Sequence, residues 1–466
     1  HSAQFADLNV KGEQMKIDGE SFYKISNVNG MRPFFMSIVS HSNHWMFISS
    51  TGALSAGRKD SDAALFPYYT DDKITDSFET TGSKSIFLVE KNGHTFLWEP
   101  FSLRQASLYK ISRNLYKNAF GNKVIFEEIN HDLEVRFTYE WNSTDRYGFV
   151  RKSSLSNTAA SAVKVQFIDG IQNVLPYGVE EALQNGTSNL VDAYKRTELV
   201  EGSSLAIFAL SAIIVDKAEP SEALKSNITW SIGLENPTIL LSSLQLDAFR
   251  RGQEVSQETD VKAEKGAYFL HSEVALESNG SKEWLLVADV NQTFSDVVTI
   301  KSQILTNSDL KSTILNDVEL GSEQLTELVA ASDGLQKTAD GLRNVRHFSN
   351  TMFNIMRGGI FDDNYQIEKA DFVPYIEKLN KKVFRHKEAL LNALPTHFKL
   401  EDLKLLYQDD EDKNFKRLCC EYLPLKFSRR HGDPSRPWNK FSINTRNEND
   451  GSKILDYQGN WRDIFQ

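Results

Sequence analysis

Short runs in which apolar and polar residues alternate fill the chain from Ser21 to about Val290. The clearest is Leu-Glu-Val-Arg-Phe-Thr-Tyr-Glu-Trp at residues 133–141, where every second residue is large and apolar. The residues between them are charged or hydroxylated. The pattern therefore predicts a strand with one face on a core and the other against water or a polar layer. Turn-forming residues such as Lys91-Asn92-Gly93 separate the runs.

Further runs of this kind predict strands at residues 34–39, 45–49, 86–90, 124–129, 163–168, 204–215 and 284–290. No long helical pattern interrupts this series. Strands that follow one another in this way favour antiparallel sheets packed face to face over a βαβ arrangement. We therefore expect residues 1–294 to form an antiparallel β-sandwich domain, so that the N-terminal part is mainly β.

The period of the apolar residues changes near Ser295, and from there to about Tyr422 they recur three and four positions apart. One such series stops at Gly358-Gly359 and consists of Leu342, Val345, Phe348, Met352, Phe353 and Met356. A second series runs from residue 372 to residue 395, and a third covers residues 403–407. This spacing predicts helices. We expect residues 295–425 to form a helical linker region.

Charge and hydropathy exclude two classes of partner. The chain carries a formal net charge of −10 and no long basic run, whereas nucleic-acid binding depends on Lys and Arg that neutralise phosphates. Its longest apolar stretch, residues 205–215, is about half the length that a membrane-spanning helix requires. We therefore expect neither nucleic acid nor a membrane as a partner.

The motifs that the sequence lacks and its two cysteines limit the kinds of reaction, cofactor and metal site that we expect. The sequence contains no phosphate-binding loop, no Gly-x-Ser-x-Gly, no His-Glu-x-x-His and no dinucleotide-binding Gly-x-Gly-x-x-Gly after a strand. Cys419 and Cys420 are neighbours, so they provide neither a disulfide framework nor the paired spacing of a zinc site. We expect no cofactor, no metal, and a reducing, cytoplasmic setting.

The segment after residue 425 is dense in charged, aromatic and turn-forming residues. Arg429, Arg430 and His431 form a compact cationic cluster before a Gly-Asp-Pro turn, which is suited to phosphate or a sugar acid because Arg presents forked donors. The alternative is a solvated basic loop that links domains. Trp438 is either a stacking platform for a sugar or an anchor at a domain interface.

Arg462 and Asp463 are the best candidates for a sugar-binding pair. Guanidinium and carboxylate groups make directed, charge-assisted hydrogen bonds to vicinal hydroxyls, and the adjacent Trp461 is suited to support an apolar sugar face. The alternative is an ion pair at a helix start that packs against a core Trp. The sequence ends at Gln466 in the middle of this pattern, which predicts a longer polypeptide.

Residues 459–466, Gly-Asn-Trp-Arg-Asp-Ile-Phe-Gln, resemble a segment of the glycoside phosphorylases of glycoside hydrolase family 94. That segment, Gly-Tyr-Arg-Asp-Ser-x-Gln-Asp, begins part of the family's sugar site. The order of parts is also similar, and residues 43–55, 67–72, 98–100 and 145–151 resemble segments of the family's N-terminal domain. Ile464 and Phe465 depart from the family, which has Ser or Thr after Arg-Asp.

The resemblance implies a galactose-mutarotase-like β-supersandwich followed by the α-helical linker and the start of an (α/α)6 barrel, with residues 426–466 as the incomplete beginning of a catalytic domain. It also implies inverting phosphorolysis of a β-linked oligosaccharide to a sugar 1-phosphate, with inorganic phosphate as co-substrate. The general acid is then expected beyond residue 466, while Trp461, Arg462, Asp463 and Gln466 bind the substrate.

The partners expected from this resemblance are an oligosaccharide substrate and the remainder of the same polypeptide. The resemblance leaves open whether the protein forms a homodimer. Two other functions stay open. One is a glycoside hydrolase that uses water as the nucleophile. The other is a non-catalytic carbohydrate-binding or interaction module, since a sandwich of this kind recurs in proteins of several activities.

Overall fold

A computed structural model describes residues 9–105, 107–212, 225–331 and 366–427, together with the single residues 335, 339, 341, 344, 345, 348, 349, 352 and 449. The described chain divides into two compact units at residues 325 and 326, with residues 41–43 grouped with the second unit. The change from strands to helices comes earlier, at Thr293 and Phe294. The predicted domain ranges 1–294, 295–425 and 426–466 remain predictions.

Twenty strands of the described chain belong to the first unit, and they are β1 Lys11–Ile17, β2 Glu20–Ser26, β3 Phe35–Ile38, β4 His44–Ser49, β5 Leu54–Arg58, β6 Ala64–Phe66, β7 Gly82–Lys91, β8 His94–Trp98, β9 Ile111–Asn118, β10 Val124–Asn130, β11 Val135–Thr144, β12 Gly148–Asn157, β13 Val163–Val174, β14 Lys195–Leu199, β15 Ala206–Leu210, β16 Lys225–Ile232, β17 Thr238–Leu240, β18 Asp260–Lys262, β19 Gly266–Leu276 and β20 Ser281–Thr293. Each run predicted as a strand overlaps one of these strands, so the mainly β prediction is confirmed. The run at 204–215 was predicted too long, because β15 ends at Leu210.

These strands form three sheets in which each recorded pairing is antiparallel. The largest has eleven described strands in the order β1-β2-β9-β10-β11-β12-β20-β16-β15-β14-β18. The second has the order β17-β19-β13-β7-β8, and the third has the order β3-β4-β5-β6. The predicted antiparallel sandwich is therefore confirmed.

One hydrophobic core receives side chains from all three sheets. Along β11 the odd-numbered apolar residues such as Phe137 point inward, as the alternation predicts. Aromatic rings meet across the gap between the two larger sheets: Phe167 stacks on Trp284 at 4.8 Å between ring centroids, and Phe87 lies 4.9 Å from Phe137. Such contacts stabilise the packed sheets beyond the burial of apolar area alone.

The described helices that lie wholly or mostly in the first unit are α1 Asp71–Asp76, α2 Glu181–Asp192, α3 Leu246–Arg250, α4 Phe294–Thr306 and α5 Leu310–Ala331, whose last six residues belong to the second unit. A capping box begins α4, because the Thr293 hydroxyl accepts from the Asp296 amide and the Asp296 carboxylate accepts from the Thr293 amide. Apolar residues of α4 and α5 share a second core cluster with the outward-facing residues of β16 and β20. The two helices therefore cover the outer face of the large sheet at β12, β16 and β20.

The described part of the second unit contains α6 Lys369–Leu379, α7 Lys381–Ala393, α8 Leu400–Gln408 and α9 Lys413–Phe427, with the two-stranded sheet β21 Gln366–Glu368 and β22 His397–Lys399. The single helical series predicted from residue 372 to residue 395 is wrong, since Asn380 divides it. Asn380 is extended, and its side-chain oxygen accepts from the amides of Lys382 and Val383 at 3.1 Å each. This N-cap ends α6 and starts α7.

No helix among the described residues is long and apolar enough to cross a membrane. The predicted start of an (α/α)6 barrel at residues 426–466 lies almost entirely outside the described residues and stays a prediction.

The amine of Lys117 should make stability depend on pH. Its Nζ donates to the Ser37 carbonyl at 3.0 Å, and burial lowers its pKa to about 8. Between about pH 8 and the unfolded value of about 10.4 the unfolded chain binds more protons, so the free energy of unfolding rises with pH there. Lys117→Met should increase the free energy of unfolding at pH 7 by on the order of 2 kcal/mol. The variant should also lack the increase of this free energy with pH.

Urea unfolding of the native chain and of Lys117→Met at pH 7 and pH 9.5 measures this difference. Exposed Lys110, which precedes β9, provides the matched control Lys110→Met. The prediction would be contradicted if the free energies of unfolding of Lys117→Met and of the native chain differed by the same amount at both pH values.

The N-cap at Asn380 gives a second prediction. Asn380→Ala removes the acceptor of two amides, so hydrogen exchange at Lys382 and Val383 should accelerate about fivefold, corresponding to about 1 kcal/mol. Asn380→Ser keeps a capping oxygen and should exchange at nearly the native rate. Equal exchange rates in the two variants would show that the cap does not hold this helix start.

Candidate functional site

The sugar- and phosphate-binding residues predicted from the sequence all lie outside the described residues, and they are Arg429, Arg430, His431, Trp438, Trp461, Arg462, Asp463 and Gln466. Their roles remain predictions. The catalytic general acid was not assigned to any residue of this sequence. The candidate site described below therefore consists of other residues, all in the first unit.

A buried ion pair joins the two larger sheets at their centre. Arg151 on β12 and Asp169 on β13 both have side chains with no solvent exposure. The guanidinium binds the carboxylate through two nitrogens, with Nη1 2.7 Å from Oδ2 and Nη2 2.9 Å from Oδ1. A charged pair in the interior requires this bidentate geometry, because its desolvation is costly.

Neighbouring side chains satisfy the remaining hydrogen bonds of this pair. Trp284 Nε1 and Ser85 Oγ donate to Asp169 at 2.7 and 2.6 Å, and Arg151 Nε donates to Ser83 Oγ at 3.0 Å. The Tyr139 ring lies 4.6 Å from the guanidinium carbon, a cation–π distance. The pair is therefore fixed by strands of both sheets.

A small, open-sided pocket with a cavity volume of about 20 Å³ adjoins this network. It lies where β7 begins, between the turn that joins β4 to β5 and the segment that follows β8. Ser83 and Ser85 face the sandwich interior, while Lys84 between them points to the opposite side of the sheet. The lining residues are Thr51, Gly52, Phe78, Glu79, Ser83, Lys84, Ser85, Pro100, Phe101, Ser102 and Tyr139.

Two carboxylates and two cations alternate beside the pocket. The Lys84 ammonium binds both the Glu79 and the Glu99 carboxylates. Glu99 is also bound by Arg250 of α3 through Nε at 3.0 Å and Nη2 at 2.8 Å. Ser102 Oγ donates to Glu79 Oε1 at 2.7 Å. Each of these four charges therefore has a fixed partner of opposite sign.

These contacts set the protonation states. Burial alone would raise the pKa of Glu79, but the Lys84 ammonium and the Ser102 hydroxyl hold the pKa below its usual range. Burial likewise opposes ionisation of Glu99, and Arg250 and Lys84 keep its pKa low. Burial raises the pKa of Tyr139, so its hydroxyl stays protonated. The pocket thus offers ionised acceptors and neutral or cationic donors, and neither carboxylate is poised as a proton donor.

The turn between β4 and β5 approaches Tyr139 closely at Gly52. Its φ is +92°, and a Cβ at this position would lie 2.5 Å from the Tyr139 hydroxyl oxygen. Only glycine combines this left-handed backbone with such a close approach. The pocket wall therefore depends on the absence of a side chain here.

Sequence reasoning identified part of this arrangement indirectly. Glu99, Pro100 and Arg151 lie in segments that resemble family 94, whereas Glu79 and Lys84 were not singled out. A signal did exist for Asp169, because it is a charged residue inside the otherwise mostly apolar or uncharged run of β13, and buried charges are normally paired. Among the described residues no cluster of three or more His, Cys, Asp or Glu is arranged to hold a metal ion.

Comparison with known proteins relates one segment of the chain to a glycoside hydrolase family. Residues 361–424 match the family model of glycoside hydrolase family 149 insertion domain 1. This range covers most of the described second unit, from before β21 into α9. It supports a relation to glycoside hydrolase and phosphorylase families in general and does not single out family 94. No curated protein matches the chain.

Solved structures resemble the chain only distantly. A bacterial glucoamylase complexed with acarbose is 10% identical at a TM-score of 0.39, covering 75% of this chain and 49% of its own. A protein described as a kojibiose phosphorylase from the human microbiome is 8% identical at a TM-score of 0.26, covering 62% and 30%. The chain thus spans about half the length of the glucoamylase. TM-scores this low support no conclusion about activity.

The ion pair beneath the pocket yields a prediction about stability. Arg151→Met leaves the Asp169 carboxylate buried without its counter-charge, so the free energy of unfolding should fall by on the order of 3–5 kcal/mol. The double variant Arg151→Met, Asp169→Asn should recover part of this loss, because Asn still accepts from Trp284 Nε1. Chemical denaturation of both variants measures the difference.

The half-exposed pair of Arg196 and Asp260 provides the control. Arg196→Met should cost no more than about 1 kcal/mol, as is usual for surface ion pairs. Equal losses for Arg151→Met and Arg196→Met would mean that the central pair is not what joins the sheets.

Proposed function

We propose that this chain belongs to a carbohydrate-active enzyme that cleaves a β-linked oligosaccharide by inverting phosphorolysis and releases a sugar 1-phosphate. The observation that supports this proposal most directly is the match of residues 361–424 to a glycoside hydrolase family 149 insertion domain. The family 94 resemblance of residues 459–466 adds phosphate as the nucleophile. The β-sandwich is then an accessory domain of the enzyme.

The proposed reaction divides its tasks between two sides of the sugar ring. A carboxylic acid protonates the glycosidic oxygen while inorganic phosphate attacks the anomeric carbon from the opposite face, which inverts its configuration. Arg462 and Asp463 are proposed to hold sugar hydroxyls, with Trp461 and Gln466 beside them. Arg429, Arg430 and His431 are proposed to bind phosphate or a sugar group, and Trp438 to stack on a sugar.

The described carboxylates at the pocket are unsuited to the role of the acid. A general acid must be protonated at the working pH, whereas Lys84 and Arg250 favour the ionised forms of Glu79 and Glu99. The general acid is therefore not assigned to either residue. Two alternatives share the same sugar chemistry, namely a glycoside hydrolase in which water is the nucleophile and a non-catalytic carbohydrate-binding module.

The test is turnover of β-linked disaccharides by the full-length natural protein with and without inorganic phosphate, followed by anion-exchange chromatography of the products. Phosphorolysis predicts sugar 1-phosphate that forms only when phosphate is present. Free sugar without phosphate dependence would identify a hydrolase. Retained sugar binding without turnover across the panel would identify a binding module.

Variants connect this outcome to the proposed sugar contacts. Asp463→Asn should reduce kcat/KM about 10- to 100-fold, because it removes a charge-assisted hydrogen bond of about 1.5–3 kcal/mol. Exposed Asp309 lies before α5 in the first unit, so Asp309→Asn is the matched control and should be neutral. An unchanged kcat/KM in Asp463→Asn would exclude this residue from substrate binding.

A further inference from the structure

We propose that Glu140 and Asn142, on the outer face of the large sheet beneath α5, form a proton-dependent seat for this helix. The proton lies between the two side chains, and its loss loosens the contact between α5 and the sheet. Helix α5 begins in the first unit, and its last six residues belong to the second unit. The seat is therefore a device by which pH acts on the helix that both units share.

The alternation of β11 places both side chains on the face of the sheet that α5 covers. Trp141 between them points into the main hydrophobic core, so Glu140 and Asn142 point to the opposite side. Asn142 lies directly opposite Val150 of β12 in the strand register. Val150 belongs to the same apolar cluster as Val318 of α5. The pair therefore lies next to the part of α5 that contains Val318.

Polar contacts as well as apolar packing hold this part of α5. The buried Asn122 amide donates to Ser322 Oγ of the helix at 2.9 Å. The buried Lys123 ammonium lies 2.7 Å from the Glu319 carboxylate of the helix and 2.9 Å from the Glu20 carboxylate of β2. Hydrogen bonds and ion pairs of this kind respond to a change of charge nearby, since charges interact more strongly in a protein interior than in water.

The lysines around Glu140 already have carboxylate partners. Lys123 binds Glu20 and Glu319, while Lys152 and Lys311 lie 3.6 and 3.7 Å from the two oxygens of Glu283. An ionised Glu140 would therefore add a negative charge where each nearby cation is shared. The titratable groups around the seat in the described chain are Glu20 of β2, Lys123 before β10, Tyr147 and Lys152 at β12, Glu283 of β20, and Lys311, Asp317 and Glu319 of α5.

The Asn142 side chain needs a donor that a protonated Glu140 can supply. Asn142 is the hydrogen-bonding neighbour of the Glu140 carboxyl group. It is only 4% exposed, and its Oδ1 accepts no hydrogen bond from the described residues. A buried acceptor without a donor is costly. A protonated carboxyl group donates one hydrogen bond, whereas an ionised one only accepts, so the protonated form satisfies both side chains.

Burial acts in the same direction. It raises the pKa of Glu140 above its usual range, and Asn142, Lys152 and Lys123 only partly oppose this. When α5 separates from the sheet, Glu140 meets water and its pKa returns to about 4.3. Between that value and the raised one the seated state binds more protons than the open state, so the seat weakens as the pH rises. Below about pH 4.3 both states hold the proton, and the dependence ends.

Hydrogen exchange of α5 in the 466-residue chain, followed by mass spectrometry from about pH 5 to about pH 8, tests the proposal. After correction for the intrinsic pH dependence of exchange, residues 311–325 should open more often at the higher pH. The increase should be about tenfold for each unit by which the pKa of Glu140 is raised. Circular dichroism across the same range checks that the sandwich stays folded.

Two variants assign the effect to Glu140. Glu140→Gln is uncharged and keeps a donor for Asn142 Oδ1, so α5 should stay equally protected across the pH range. Glu323→Gln is the matched control, because Glu323 is exposed on the same helix, and this variant should behave like the native chain. The other carboxylates of the seat are the same in the native chain and in Glu140→Gln, so the difference between the two reports on Glu140.

Exchange of α5 that does not change with pH in the native chain would overturn the proposal. An equal change in the native chain and in Glu140→Gln would overturn it as well, because another group would then be responsible. If Glu140→Gln does not fold, Glu140→Met takes its place, since it also removes the charge and should likewise abolish the pH dependence. No part of this test uses a sugar or turnover, so its outcome is independent of the proposed enzymatic activity.

Discussion

The paired charges of Arg151 and Asp169 are the constraint on which the centre of the sandwich depends. They lie on strands of different sheets, and neither side chain is exposed. Two unpaired charges in this position would be costly, whereas the paired geometry requires the sheets to face each other in one register. Trp284 and Ser85 donate to the same carboxylate, so the aromatic core and strand β7 are positioned by the same few atoms.

The pocket follows from this arrangement. Strand β7 places Ser85 toward the buried pair and Lys84 toward the opposite side of the sheet, because successive side chains of a strand alternate. The contact that fixes Ser85 therefore also holds Lys84 in position. Lys84 in turn orients Glu79 and Glu99, and Arg250 supports Glu99 from α3. A rigid interior thus extends to a polar cluster whose charged groups are held in place by their ion pairs.

The sequence was sufficient for the parts of the fold that local patterns determine. Alternation located the strands, and a change of period located the first helices after Thr293. It failed at Asn380, where apolar residues keep helical spacing across a break, although an Asn is a usual N-cap. The pocket could not be predicted because its pairings are long-range: Arg250 and Glu99 are 151 positions apart, and no local pattern indicates that they meet.

The pairing of distant charges explains why this cluster is difficult to recognise in a sequence. Lys84, Glu79 and Glu99 are each ordinary surface-type residues, and none forms a motif with its neighbours. The fold brings them together with Arg250, and each charge then has a partner of opposite sign. A local pattern cannot show this pairing, because the four residues lie before β7, on β7, after β8 and on α3.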